Sequence, residues 1–341
     1  MSASLHLTRL TGAASLQDGG RRGYLRFGLS ASGPMDRLAH AAANRLVGND
    51  PDAAAIELGL AGARLRVEGG AVRLALAGAP SLLRLDGEII ASHRSFVLRE
   101  GSELVVERPR EGVFATLAAG GGFAVPPVMG SRSLHQRAAL GGLEGRPLRE
   151  GDRLPLAPSP PGGAAEQALD PVPLEREAPI RVVLGPQDDL FPEAGLAAFL
   201  SGDFTVSNRA DRMGYQLDGP AIAHGPGGFN IVSDATVAGS VQVPGSGRPI
   251  VLLADRQTTG GYPKIATVIS ADLRRIAQRR PGETVRFVAV DLAAATRLAR
   301  ERGALLAGLA ARLRPVVAGA AERLMAANLA GEAVDALRAE D

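Results

Sequence analysis

The stretch PIVLLADRQTTGGYPKIATVI occupies residues 249–269. Two apolar, β-rich runs, 250–254 and 265–269, enclose the polar turn 255–264, which is the pattern of two buried strands joined by a loop. A loop anchored at both ends in this way places its groups reproducibly, and Gly260-Gly261 permits a close backbone approach that a Cβ forbids. Gln257 offers a donor and an acceptor, Thr258 and Thr259 offer hydroxyls, and Tyr262 offers a phenol on an apolar ring. Asp255, Arg256 and Lys264 add charge. Composition alone fits an ordinary hairpin loop with solvated charges equally well.

Outward from this stretch the chain remains mainly β. Between residues 54 and 118 short apolar runs recur, at 56–58, 64–67, 72–77, 96–98, 104–106 and 113–117. Turns such as Glu68-Gly69-Gly70 and Asp86-Gly87 separate them, so the region reads as a barrel or sandwich. Ser32-Gly33-Pro34-Met35-Asp36 introduces a helical run carrying Leu38, Ala41, Ala42, Arg45 and Leu46, which Gly48-Asn49-Asp50-Pro51 stops. Further strands are expected at 180–184, 204–206, 241–243 and 285–290, with helices at 188–200 and 271–278. Residues 157–179 hold the densest proline and no apolar period, and read as a protease-sensitive linker. The expected organisation is a first β unit over 1–156, the linker over 157–179, a second β unit over 180–290 and a helical tail over 291–341. In that tail Leu298, Leu305, Leu309 and Leu313 share one side before Pro315, and a second amphipathic run covers 316–329 before an acidic end.

At 341 residues the chain can hold two domains with independent cores. It has no cysteine, which excludes disulfides, thiolate metal sites and a cysteine nucleophile. The formal charge is +2 with arginines scattered among acids, so no stripe tracks a nucleic-acid backbone. No run approaches the roughly 18 apolar residues of a membrane span, and residues 1–6 carry no leader pattern; a soluble, cytoplasmic protein is expected. Lys264 is the only lysine. It follows Pro263 rather than a P-loop glycine and lacks the methionine-flanked setting of a biotinylated lysine, so the chain is neither a P-loop nucleotidase nor a biotin carrier. The histidines stand apart in no metal spacing, and no metal site is expected; His135, after Gly130-Ser131-Arg132-Ser133, is the least ordinary. Gly120-Gly121-Gly122 reads as a barrel turn.

Two other short stretches carry chemistry. Asp211-Arg212-Met213-Gly214-Tyr215 sets a guanidinium, an adaptable apolar side chain and a phenol in one turn that can grip a carboxylate or ureido carbonyl. A surface Arg-Asp pair over a buried methionine is its structural alternative. Gln17-Asp18-Gly19-Gly20-Arg21 places an acid, a base and an amide in a tight turn, and also fits a turn merely capped by Asp18.

Residues 255–266, together with the blocks just quoted, Val47-Gly48-Asn49, Val125-Pro126-Pro127-Val128-Met129-Gly130, residues 141–148, Gly185-Pro186-Gln187 and Gln242-Val243-Pro244, closely resemble the biotin-dependent carboxyltransferase family. That family includes the C subunit of bacterial 5-oxoprolinase, the antagonist of the sporulation-kinase inhibitor, and part of the carboxyltransferase region of urea carboxylase. The match runs in order over roughly residues 5–290. It implies two tandem cyclophilin-like β-barrels and one component of an ATP-dependent 5-oxoprolinase, inactive without its partners, a protein like the B subunit of that enzyme and a lactam-ring-opening protein like its A subunit. ATP would be bound with or by a partner, and biotin would enter only as a ligand on another chain. Gln257, Thr258 and Arg212 would donate to the amide oxygen, with Lys264 beside them, Tyr262 and Tyr215 as walls and Asp255 or Asp18 as orienting groups. Arg21, Met213, Gly214, Thr259, Gly260 and Gly261 complete the implied substrate contacts. The family also allows carboxyl transfer to urea or a related amide, and regulatory binding of a kinase-inhibitor partner.

Overall fold

The computed structural model describes residues 3–158 and 165–316. The first half is a nine-stranded sheet of β1 (Ser4–Gln17), β2 (Ala55–Glu68), β3 (Ala71–Gly78), β4 (Leu83–Leu85), β5 (Glu88–Ile90), β6 (Ser95–Arg99), β7 (Glu103–Val106), β8 (Phe114–Ala119) and β9 (Arg153–Pro155). The runs expected at 56–58 and 64–67 are one strand, β2. One side of β2 pairs with β1 along its length, while the other passes from β8 to β7 around residue 60, so the sheet divides there and curls. Alternating leucines and valines of β1, β2 and β7, Leu5, Leu7, Leu65, Val67, Leu104 and Val106, fill its inside. On the outside, β3 and β8 present Ala75, Ala77 and Ala118 to α1 (Arg37–Leu46), small side chains that let the helix approach closely. Asp36 caps α1 by accepting from the Leu38 and Ala39 amides, each at 3.1 Å.

Beyond β10 (Gln167–Ala168), the second half holds β11 (Ile180–Leu184), α2 (Glu193–Ser201), β12 (Phe204–Ala210), β13 (Gly214–Asp218), β14 (Asp234–Ala235), β15 (Ser240–Gln242), β16 (Ile250–Leu252), β17 (Thr259–Gly260), β18 (Lys264–Val268), α3 (Leu273–Ala277), β19 (Thr284–Val285) and β20 (Phe287–Ala289). Eight of these strands form a sheet in the order β19-β12-β13-β16-β15-β18-β11-β20. The run expected as one strand at 285–290 is bent at Arg286: its first part pairs with β12 and its second with β11, so one segment binds both edges and curls the sheet into a barrel. The helix expected over 188–200 is interrupted at Pro192, leaving a 3-10 turn at Asp188–Leu190 ahead of α2. The expected helix at 271–278 likewise begins as a 3-10 turn, Ser270–Asp272, before α3.

The halves are sewn together by polar groups as well as by a shared apolar cluster of Met35, Val113 and Phe114 against the second barrel. Gln278, 2% exposed, accepts from the Val113 and Phe114 amides at 2.8 and 2.9 Å and donates to Asp36 and the Phe114 carbonyl at 3.0 and 2.8 Å. From α4 (Leu292–Ala307) a 3-10 turn, Gly308–Arg312, delivers fully buried Leu309 against α1. β21 (Arg314–Pro315) then pairs with β10. The amphipathic run expected over 316–329 and the acidic end lie, from residue 317, outside the described residues. Within the stretch read as a linker, the described part is bonded down: Leu169 is buried, and Arg275 donates to the carbonyls of Glu175, Ala178 and Pro179. Residues 159–164 of that stretch lie outside the described residues. No helix among the described residues is long and apolar enough to cross a membrane.

Candidate functional site

The loop of residues 253–263 runs between β16 and β18 and is clamped by a segment that composition did not flag. β17, inside the loop, pairs with β14; the Thr236 amide donates to the Thr258 carbonyl at 3.0 Å, and the Ile231 amide donates to the Gly261 carbonyl at 2.9 Å. Gln257 Nε2 donates to Gln242 Oε1 at 2.9 Å, while Gln242 Nε2 donates to the Tyr262 carbonyl at 3.3 Å. A Cβ on Gly260 would clash with Gln242 Nε2. Gly260→Ala is therefore expected to displace Gln242, break its bond to Gln257 and cost about 2 kcal/mol. Urea denaturation together with the NMR shifts of the two side-chain amides checks this; unmoved Gln242 resonances would contradict it.

A groove of about 480 Å³ runs between this loop and residues 208–216. Four carboxamides, Asn208, Gln216, Gln242 and Gln257, line it together with Arg209, Asp211, Met213 and the 40%-exposed Tyr262. Thr259 is exposed and Thr258 half-buried, and neither hydroxyl has a hydrogen-bond partner among the described residues. Lys264 does not line the groove. Its side chain is 1% exposed, with Nζ 2.8 Å from Asp234 Oδ2; Gln187 Nε2 donates to the same oxygen at 3.0 Å. Hydrogen bonds from Lys264 and Gln187 hold the Asp234 carboxyl below the usual range.

A second cavity, of about 400 Å³, lies between the two halves and shares Ala210, Asp211 and Met213 with the groove as a common wall. Arg212 stands on its floor between two buried carboxylates. Its Nε and Nη2 donate to Asp255 at 2.8 and 3.1 Å, Nη1 donates to Glu57, and Nη2 also donates to the Gly33 carbonyl at 2.7 Å. Burial raises the Glu57 carboxyl, opposed by the Arg212 charge and by the Met35 amide, which donates to Oε2 at 2.7 Å. Burial works against the Arg212 charge, but Glu57 and Asp255 outweigh it and push the guanidinium pKa up. The buried Tyr215 hydroxyl donates to the Ala277 carbonyl at 2.8 Å, and burial raises it. Sequence reasoning missed Glu57; its signal was an acid inside the apolar run Ile56-Glu57-Leu58.

The structure thus joins residues 211–215 with 255–262 but leaves the glycine turn at 17–21 off both linings, beside a separate hollow with Asp52 and Met129. Burial works to raise Asp18, but bonds from the Ser131 and Ser133 hydroxyls at 2.6 and 2.7 Å and from the Arg132 and Gly20 amides outweigh it and hold the carboxyl low. Arg21, 1% exposed, donates to the carbonyls of Val128 and Ser133, each at 3.0 Å. Both side chains hold residues 128–133, and Arg21 Nη1 is buried without a partner among the described residues. His135 Nε2 lies 3.1 Å from the Ser30 hydroxyl, but Nδ1 accepts from the Ala138 amide. The ring proton is then on Nε2, pointing at the serine, so the pair is not a nucleophile with its base. Among the described residues no group of three or more His, Asp or Glu could hold a metal ion.

The family model described as "Carboxyltransferase domain, subdomain A and B" matches residues 27–289. The C subunit of 5-oxoprolinase from Escherichia coli strain K12 is 37% identical over 299 residues, covering 88% of this chain and 95% of that protein. The protein of the same name from Haemophilus influenzae is 38% identical over 288 residues, covering 84% and 92%. Among solved structures, the urea amidolyase of K. lactis superposes with a TM-score of 0.84 at 28% identity, over 90% of this chain but only 20% of that one.

Proposed function

The chain belongs to the carboxyltransferase subdomain A and B family, and from that premise we propose that it is the C subunit of an ATP-driven 5-oxoprolinase that opens 5-oxoproline to glutamate. The observation that carries this reading is the likeness to the Escherichia coli protein over 95% of its length. Activating a lactam carbonyl builds charge on its oxygen, which aimed donors stabilise. The donors read from the sequence do not share one lining: Gln257 lines the groove and Arg212 the second cavity, on the two sides of the Asp211-to-Met213 wall, while Thr258 lines neither. ATP is held with or by a partner, and the partners are proteins equivalent to the A and B subunits of such an enzyme.

The test is ATP hydrolysis coupled to glutamate release, measured for the chain alone and with its partner subunits. Glutamate is expected from the assembled complex and none from the chain alone; turnover by the isolated chain would contradict this reading. A second reading, carboxyl transfer to urea or a related amide from carboxybiotin on another chain, is favoured by the carboxamide-rich groove and the likeness to the K. lactis enzyme. Consumption of urea and bicarbonate, but not of 5-oxoproline, would select it. In the assembled complex Lys264→Arg is expected to lower turnover at least ten-fold, about 1.4 kcal/mol, because a planar guanidinium does not replace the buried ammonium that fixes Asp234 over the loop. Unchanged kinetics would remove Lys264 from the working parts.

A further inference from the structure

We propose that the chamber between the two halves, rather than the carboxamide groove, is the pocket for a small cyclic amide carrying a carboxylate, with the Arg212 floor reading the amide edge and Arg137 taking the carboxylate at the mouth. The proposal rests on the 5-oxoprolinase reading and names where its substrate sits. Its walls are apolar, and Leu60, Val113, Phe114, Leu134, Pro147 and Met213 suit ring carbons, whereas the groove sets Met213, Ile250 and Leu252 among four carboxamides and the charged Arg209 and Asp211. Leu60 holds a left-handed backbone at φ 48° where β2 changes partners, a conformation a branched side chain adopts at a cost and one that shapes this wall.

The floor selects the amide. A ring locks its amide cis, so N–H and C=O leave from one edge, whereas an open-chain secondary amide is trans and presents them on opposite sides. Arg212 has five N–H donors, of which four are used by Asp255, Glu57 and Gly33; the fifth is left for a carbonyl, next to carboxylates that accept an N–H. The floor has two carboxylates to one guanidinium, which disfavours a phosphate there. Only Arg137, exposed at the mouth and without an ion-pair partner among the described residues, offers an anion a free guanidinium on the chamber lining.

Ligand-observed NMR titration of the full chain with 5-oxoproline and with 2-pyrrolidone, which lacks the carboxylate, tests this. Both are expected to bind. Arg137→Ala should weaken 5-oxoproline at least ten-fold and leave 2-pyrrolidone unchanged, and Ala13→Trp, at an exposed position on the chamber lining, should abolish both. Failure of wild type to bind either ligand, equal effects of Arg137→Ala on the two, or full binding by Ala13→Trp would overturn the proposal. The functional reading fails separately: an assembled complex that turns over 5-oxoproline unaltered by Ala13→Trp keeps the function and rejects the chamber. Selective binding by a chain whose complex shows no turnover keeps the chamber and rejects the function.

Discussion

Arg212→Met is expected to destabilise the protein by about 4 kcal/mol near neutral pH, because it leaves two buried carboxylates facing each other without their cation. Glu57 and Asp255 are 3% and 4% exposed, and the guanidinium between them also donates to the Gly33 carbonyl. The loss should depend on pH in a characteristic direction. Without Arg212 the Glu57 carboxyl, already raised by burial, rises further above its unfolded value. A carboxyl raised on folding contributes stability that is present at low pH and lost as pH rises through the folded pKa, so the variant should recover part of its deficit on mild acidification. Arg212→Met combined with Glu57→Gln should recover part of it at neutral pH as well, since one uncompensated charge is gone. Urea denaturation of the three proteins checks this; a single variant within about 1 kcal/mol of wild type would mean that the cluster is not the electrostatic joint between the halves.

That joint explains what could and could not be read from the chain. The strands flanking residues 253–263 were legible because apolar runs bound a glycine turn, and α1 was legible because its alanines and leucines keep helical spacing behind an Asp36 cap. Arg212 and Asp255 stand out by their motifs, but their bidentate pairing joins positions 43 residues apart, and Glu57 is 155 residues from Arg212. Periodicity reports which face of an element is apolar and says nothing about which distant charge it meets. The clamp at residues 231–237 was invisible for a related reason. It contributes a two-residue strand, too short for any period, and its hold on the loop is through backbone amides that every sequence possesses. Likewise 285–290 reads as one apolar run, whereas its bend at Arg286 lets it bind both edges of a barrel, a fact of topology alone.

Acidification from neutral pH to pH 4 is expected to remove about 3 kcal/mol of stability through a single buried imidazole, His40. The residue lies on the inner face of α1 at 1% exposure, with Asn44 Nδ2 at 3.2 Å from Nε2 and no partner for Nδ1. Burial lowers its pKa from 6.5 to about 4; the Ala53 backbone carbonyl and the fields of Asp52 and Asp18, which favour the imidazolium, and the field of Arg37, which opposes it, are smaller effects. The unfolded chain takes up this proton near 6.5 and the folded chain refuses it until about 4, so the stabilisation is complete above 6.5 and lost as pH falls through the folded value. His93, lowered by burial, acts in the same sense, and Glu57, raised by burial, acts in the opposite one, so the wild-type profile alone does not isolate His40. The difference between wild type and His40→Gln does, since glutamine keeps an acceptor for Asn44 and carries no titrating group. Urea denaturation across this range should find the two profiles converging by about 3 kcal/mol toward pH 4. Parallel profiles would show that the imidazole is protonated inside the fold at no cost, and that solvent reaches the Nδ1 side of α1.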